Sequence, residues 1–397
     1  MTNSQNKWTK RNKSRLESLD KMVVNPSLGI VSVYDQALKN IEKSIESVYR
    51  NYAKKSGLDV ESLKRVLSGN EKKAFIKDLE VKMAKLGYKL GDLYKPGYIA
   101  RLSILEAKKQ QIYWEILQVA PKEVAINSHT YPNIIKATYN SLNQDYVDMG
   151  VIESFSHIGN KYINNLVNKK YIGKPYTDTI WNNVTDFADR FTTKLGGALL
   201  SGQSWETLAR EMRDEFQVPK YKAMRHIRTR ASFLINESNK ETNEVAGFKR
   251  YEYYALMDGR TCETCRALDG RVFKYEDAIT GENFPPIHPN CYCEHFALFD
   301  EETKFPRMRP LKQTRLNYDG TERGETPEDA PDVKDYASMD NLDIGKNKNN
   351  IEFGRISREY KGEELQKEFD RFFKELPEDE KLRKTFEQTA EMMGWKK

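Results

Sequence analysis

Cysteine and histidine are both scarce in this chain of 397 residues, with four of one and five of the other. No apolar run approaches the roughly twenty residues that cross a bilayer. The start, MTNSQNKWTKRNKSR, is polar and lacks the apolar core of a secretory signal. Neither sign of charge dominates, since 65 Lys and Arg stand against 59 Asp and Glu for a net charge of +6. These shortages exclude a membrane-spanning protein. They also argue against a disulfide-stapled secreted scaffold, so the expected setting is reducing and cytosolic, where thiols stay free or bind metal. The mild, spread positive charge permits contact with nucleic acid but does not demand it, because a dedicated binder concentrates its charge. Apolar residues are sparse as well: mean hydropathy is −0.77 and 31% of residues are charged. A chain this long holds two or three domains, and this polarity points to elongated helices with much exposed surface.

What is present is mostly helical periodicity. Residues 1–24 are basic and polar, with an amphipathic hint at Leu16, Leu19 and Met22, and Asn25-Pro26 is expected to break them. Tyr34, Leu38, Ile41, Ile45, Val48, Tyr49 and Tyr52 then recur at spacings of three and four and line one face. Asp59 can cap a short helix with Leu63, Val66 and Leu67 inward. Another helix runs from Asn70-Glu71 to Gly87, and after the break at Pro96-Gly97 a further one spans 98–118. Between 121 and 180, prolines and asparagines predict helices interrupted by turns, such as 133–148 and 152–168. His129 and His157 stand alone there and read as surface or hydrogen-bonded residues. From 178 a helix carries Ile180, Val184, Phe187, Phe191 and Leu195 inward, loosened at Gly196-Gly197. Ser204 then caps a helix that Pro219 ends, and a last one covers 221–246 with Arg225, Arg228 and Arg230 near its start. These arginines read as a solvated face or as a contact to phosphate or to a partner.

All four cysteines fall within residues 251–298: Cys262 and Cys265 as Cys-x-x-Cys, then Cys291 and Cys293 in His288-Pro289-Asn290-Cys291-x-Cys293. Such clustering implies one small site. A tetrahedral zinc takes four Cys or His ligands from paired short loops. Cys262 and Cys265 supply one pair and Cys291 and Cys293 the other, with His288 or His295 able to replace a cysteine. A zinc held by four protein ligands would be structural, having no open position for water. Reduced thiols without metal, or disulfides, are the other readings of the same residues. The Tyr-rich, alternating segment 248–257 predicts a strand, as do 271–273 and 294–298. Asp258 and Asp269 each precede glycine and read as turn residues.

The run Asp258-Gly-Arg260-Thr261-Cys262-x-x-Cys265, then Asp269-Gly270 and Phe273, then Pro286-x-His288-Pro289-Asn290-Cys291-x-Cys293, resembles the head morphogenesis domain of tailed phages, the Mu F-like minor head protein family. The resemblance covers roughly 180–298. One departure is Tyr292, where the family more often has a basic residue; the ligand frame is unaffected. The family's Arg-Thr helix before the cysteine strand corresponds to Arg228-Thr229-Arg230. The resemblance implies a non-enzymatic minor capsid protein of the virion, assembled in the host cytoplasm. Its implied partners are the portal protein, then scaffold and major capsid protein, with backbone-type DNA contact and no membrane.

The expected fold is therefore mainly α with a small α+β C-terminal module, in which helices pack on a small antiparallel sheet with Cys-rich loops. The expected order is an N-terminal helical arm (1–125), a helical connector (126–179), the morphogenesis domain (180–300), a polar linker (301–350) and a C-terminal helical hairpin (351–397). The rival readings are a metal-assisted nuclease or a toxin-fused morphogenesis protein, and a zinc-dependent DNA-binding module. Against the enzyme, residues 301–397 contain no His and no Cys.

Overall fold

Helix boundaries in this chain follow the phase of its buried stripes more closely than its local breakers. In a computed structural model, residues 3–298 are described except 55, 56, 153, 156, 157, 172, 256 and 258–260, together with 367 and 370. The expected linker and, but for those two positions, the C-terminal hairpin lie outside the described residues. So do His157, Asp258 and Arg260, and the side chains of Leu16 and Leu19.

In chain order the elements are α1 (Asn3–Tyr52), a two-stranded hairpin of β1 (Ala53–Lys54) and β2 (Gly57–Leu58), α2 (Val60–Lys64), α3 (Gly69–Ala84), α4 (Leu90–Leu93), α5 (Pro96–Ala100), α6 (Ile104–Leu117) and α7 (Val119–Asp148). There follow α8 (Asn160–Asn168), α9 (Tyr176–Leu200), α10 (Trp205–Val245), β3 (Arg250–Tyr254), α11 (Glu263–Leu268), β4 (Val272–Lys274), a 3₁₀ turn (Tyr275–Asp277) and β5 (Glu294–Ala297).

Three prolines expected to interrupt helices lie inside them: Pro26 in α1, Pro132 in α7 and Pro219 in α10. The breaks expected at Pro26 and Pro219 are thus corrected. A proline removes one backbone bond and crowds the preceding turn, yet the buried positions stay in step across it. In α10 they run Leu208, Met212, Phe216, then Ala223, Ile227, Ala231 and Leu234. In α1 they run Val23, Ile30, Tyr34, Leu38, Ile41 and Ile45, and the Ser27 hydroxyl donates to the Val23 carbonyl at 2.7 Å beside Pro26. Continuous burial outweighs the local cost. Other departures are smaller. Gly196-Gly197 sits within an unbroken α9, and the helix expected at 98–118 divides into α5 and α6, with Ser103 capping α6 by accepting from the Glu106 amide at 3.1 Å. The helix expected at 152–168 begins only at Asn160. Val66 faces solvent because its backbone bridges to Ser103. The caps at Asp59 and Ser204 form as read, accepting from Ser62 and Thr207 amides at 3.3 Å each.

The chain divides into two compact units, each assembled from interleaved stretches where sequential blocks were expected. One contains residues 30–124 and 177–221. Its aromatic core includes Phe187 and Phe191 of α9 set edge-on to Phe216 of α10, centroids 4.9 and 5.3 Å apart. The buried Glu123 accepts from the Tyr34 hydroxyl at 3.2 Å.

The other unit takes its described residues from 3–29, 125–176 and 222–298. Here α7, α8 and most of α10 accompany an antiparallel sheet of order β4-β3-β5. Tyr251 pairs with Phe273 on one side and Ala297 on the other, and Tyr253 pairs with His295. Alternation in β3 buries Tyr251 and Tyr253 completely. Tyr251 joins Leu142, Tyr146, Phe248, Tyr275 and Phe284 in one apolar cluster. The mainly helical class with a small antiparallel sheet and a Cys-rich region is thus what the chain adopts.

This second unit also buries charge. Arg15 of α1 donates to Asp145 of α7 at 3.0 Å, both almost fully enclosed. Glu294 of β5 is buried, and among the described residues its carboxylate oxygens have no hydrogen-bond partner. Burial pushes its pKa up to about 8, although the Arg15 charge pulls the other way. A carboxyl held neutral in the native state stabilises most below its unfolded value near 4.5, and that contribution is lost as pH rises towards 8. Chemical denaturation at several pH values should show stability falling through this window, and Glu294→Gln should flatten the fall.

Candidate metal centre

The cysteine site forms where two loops meet the end of β3. Cys262 is the N-cap of α11, its sulfur accepting from the Cys265 amide at 3.4 Å, and this turn carries Cys265 into the buried interior. Asp269-Gly270 closes the return to β4. The Ala255 amide donates to the Asp269 carboxylate at 2.8 Å, and Gly270 adopts φ +73°, where only glycine sits without strain. The turn reading of Asp269 therefore has a specific structural basis.

The second loop runs through Pro286, buried after a cis Pro285–Pro286 bond, to Asn290, whose φ is +65°. The Asn290 amide donates to Thr229 of α10 at 2.9 Å, and the Cys291 amide to the His288 carbonyl at 3.1 Å. His288 Nδ1 lies 2.9 Å from the exposed Pro289 carbonyl. A carbonyl only accepts, so Nδ1 carries the proton and Nε2 presents a lone pair. Such an outer bond fixes the tautomer of a ligand histidine.

That lone pair faces sulfur. His288 Nε2 lies 3.1 Å from Cys262 Sγ and 3.3 Å from Cys265 Sγ. Cys265 Sγ is 3.8 Å from Cys291 Sγ. Zinc–sulfur bonds of ~2.3 Å at tetrahedral angles place two sulfurs about 3.8 Å apart, so this pair already has the spacing of a shared metal. Donor atoms lie within 4.8 Å of one another in two groups, Cys262–Cys265–His288 and Cys265–Cys291–Cys293. Cys265 belongs to both. These donors fit a metal ion in type and spacing, with five groups for four positions.

The surroundings are arranged around these thiols. The Tyr253 hydroxyl donates to Cys265 Sγ at 3.4 Å, and Asn236 Nδ2 donates to the Cys293 carbonyl at 3.2 Å. A hydrogen bond from the Cys293 thiol draws the Cys291 pKa down against its burial, and the same bond with burial raises that of Cys293. Burial pushes Cys262 up, but the Cys265 amide and His288 more than offset it, leaving its pKa below the ordinary thiol value.

His295 is not part of the site. It lies buried among Tyr251, Tyr275 and Phe284, with Nδ1 donating to Asn236 Oδ1 at 3.0 Å and Nε2 3.4 Å from Asn243. Burial lowers its pKa to about 3, so it stays neutral. The expectation that His295 could replace a cysteine is corrected. Arg230 is corrected too. It is buried, donates to the carbonyl of Val167 at 2.8 Å and to that of Lys169 at the end of α8, and sits 4.8 Å over the Phe233 ring. A guanidinium this buried, donating to its own chain, is not offered to a portal or DNA. Arg225 and Arg228 remain half-buried, as do Thr261 and Cys262. Tyr253, Asn236 and Asn243, which support the site, were not singled out by sequence reasoning, whereas Thr229 was marked only as part of the Arg-Thr helix. The polar run Asn236–Asn243 within an otherwise amphipathic helix was the available signal.

Residues 189–296, which contain this site, match the family model described as phage Mu protein F like protein. That part of the chain is similar to the Mu F-like family and is called the Mu F-like module. An uncharacterised protein of Haemophilus influenzae is 23% identical over 149 residues, 38% of this chain and 33% of that protein. An NAD(+)–arginine ADP-ribosyltransferase of Enterococcus faecalis is 26% identical over 127 residues, 31% of this chain and 26% of that protein. The chain thus spans a third or less of either relative's length. No solved structure matches.

Without metal, Cys262 should react first with iodoacetamide, being half-exposed with a lowered pKa, and the buried Cys265, Cys291 and Cys293 later. Timed alkylation in chelator followed by peptide mapping checks this order; early labelling of Cys293 would contradict the geometry.

Proposed function

We propose that this chain is a minor head protein of a tailed phage or prophage, acting at the portal vertex in head assembly and in DNA packaging or ejection. The observation that carries the reading is the family match at 189–296, falling on the same sheet and thiol loops that the motif marks. The implied location is the virion, and among the described residues no helix is long and apolar enough to cross a membrane. The portal is the first expected partner, with scaffold and major capsid protein behind it. Arg225 and Arg228, half-buried on the motif helix, are the cations proposed for such a contact.

Within this reading the cysteine site is a structural zinc centre. Its donors are Cys262, Cys265, Cys291 and either His288 or Cys293. Four protein donors leave no position for an activated water, so the metal would cross-link two loops rather than perform chemistry. The similarity to an ADP-ribosyltransferase covers about a quarter of that protein. It supports a shared module more than a shared activity, in line with a non-enzymatic role.

Co-expression with the portal protein of the same phage, followed by size exclusion and mass analysis, should give a complex of defined ratio. No association, with the chain absent from purified heads, would overturn the head reading. Elemental analysis should find about one zinc per chain, lost in Cys265→Ser because both donor groups share that sulfur. Retention of zinc by one but not both of His288→Ala and Cys293→Ser identifies the fourth ligand.

A further inference from the structure

A different surface, in the unit built from residues 30–124 and 177–221, has the chemistry of a binding site. Between α3 and α6 the chain makes two short helices, α4 and α5, and leaves much of residues 87–101 exposed. Tyr88 and Tyr98 are 44% and 43% exposed, unusual for rings this close to a core. Neither is loose. Tyr88 stands edge-on to the buried Trp114, centroids 5.5 Å apart. Trp114 Nε1 donates to the Tyr94 hydroxyl at 2.9 Å, and the Tyr94 ring lies 5.9 Å from Tyr98. Gln110 of α6 hydrogen-bonds the hydroxyls of both Tyr94 and Tyr98. The two exposed rings are thus mounted on the buried Trp114 and Tyr94 and the half-buried Gln110.

Cations alternate with these rings. Lys85, Lys89, Lys95 and Arg101 lie in the same stretch against one carboxylate, Asp92, which is itself occupied by the Lys89 amide at 3.2 Å. Among the described residues none of the four cations makes an ion pair, whereas nearby Lys82 and Lys109 are paired with Asp78 and Glu106. Glu106 faces Tyr98 but is held by Lys109 at 3.1 Å. Fixed, solvent-facing rings interleaved with unneutralised cations match a single-stranded nucleic acid, whose bases offer flat faces and whose phosphates offer charge. A duplex would present only its phosphates. A lipid surface is a poorer fit, because Leu93 is the one large aliphatic side chain exposed here and the helices are too short to lie in an interface.

We infer that the surface formed by Tyr88, Tyr98 and the cations of residues 85–101 binds single-stranded nucleic acid without sequence preference. This is independent of the thiol centre and of any portal contact. The full-length chain should bind fluorescent oligothymidylate in anisotropy titrations, more tightly than a duplex of equal length. Tyr88→Ala and Tyr98→Ala should each weaken binding by between about five-fold and a hundred-fold, with the slope of log affinity on log salt unchanged. K89Q with K95Q should instead lower that slope by about 1.4, two phosphate contacts at ~0.7 each. Tyr98→Trp should keep binding. Circular dichroism identifies any variant that fails to fold, and the lysine pair, exposed and unpaired, tests the surface where a tyrosine variant does so. The inference is overturned by any of three results: unchanged affinity in the folded Tyr88→Ala/Tyr98→Ala double variant, duplex binding as tight as single-strand binding, or binding to phosphatidylserine vesicles with none to the oligonucleotide.

Discussion

The Mu F-like module hangs on one buried sulfur. Cys265 receives the Tyr253 hydroxyl from the central strand, faces His288 and Cys291 from the second loop, and is set in place by the Cys262 cap of its own turn. Three separate segments therefore converge on a single atom. The sheet behind it has only three strands, two of them three and four residues long. Sheets this small are marginal without further support. A metal bridging both donor groups would replace weak sulfur contacts with strong bonds between the loops. Such a cross-link would give the four thiols a reason to gather here.

The sheet's other support is polar. Asn236 and Asn243 of α10 hold His295, and Asn236 also fixes the Cys293 carbonyl. Tyr146 and Tyr275 complete the set around Asn243. A buried amide left unpaired costs about 1–3 kcal/mol, so these bonds hold β5 to one register more strictly than apolar packing would. Thr229 does the same for the second loop at Asn290. The long helix α10 thus acts as a ruler, with Thr229, Asn236 and Asn243 seven residues apart in successive pairs and therefore on one face.

Much of this was legible in the sequence and some was not, for identifiable reasons. Helical stripes, the caps at Asp59 and Ser204, the strands and the gathering of thiols all follow from spacing and local chemistry. The prolines at 26 and 219 misled because a breaker rule is local while burial is continuous, and the stripe on either side kept its phase. Arg230 misled because a guanidinium reads as surface until a helix end, here that of α8, is seen to need its donors. His295 and His288 were indistinguishable by spacing. Only the register of β5 turns one into the core and leaves the other with the sulfurs. The buried Arg15–Asp145 pair joins residues 130 apart, and no local pattern announces such a partner.

The excess of donors itself constrains the site's chemistry. Cys293 and His288 belong to different donor groups, which share only Cys265. An ion bound at one group is therefore displaced from the other unless Cys291 or Cys262 swings inward. If His288 is the fourth ligand, the Cys293 thiol stays protonated and donates to Cys291, which matches the direction of both their pKa shifts. That hydrogen bond would temper the charge on a metal-bound thiolate and make the centre a less reactive cross-link. If Cys293 is the fourth ligand, all four thiolates crowd one ion, and His288 is left outside at the partly exposed edge with its Nε2 lone pair unspent. The fixed His288 tautomer, with its Nε2 lone pair turned to the sulfurs, would serve a bound metal only in the first arrangement.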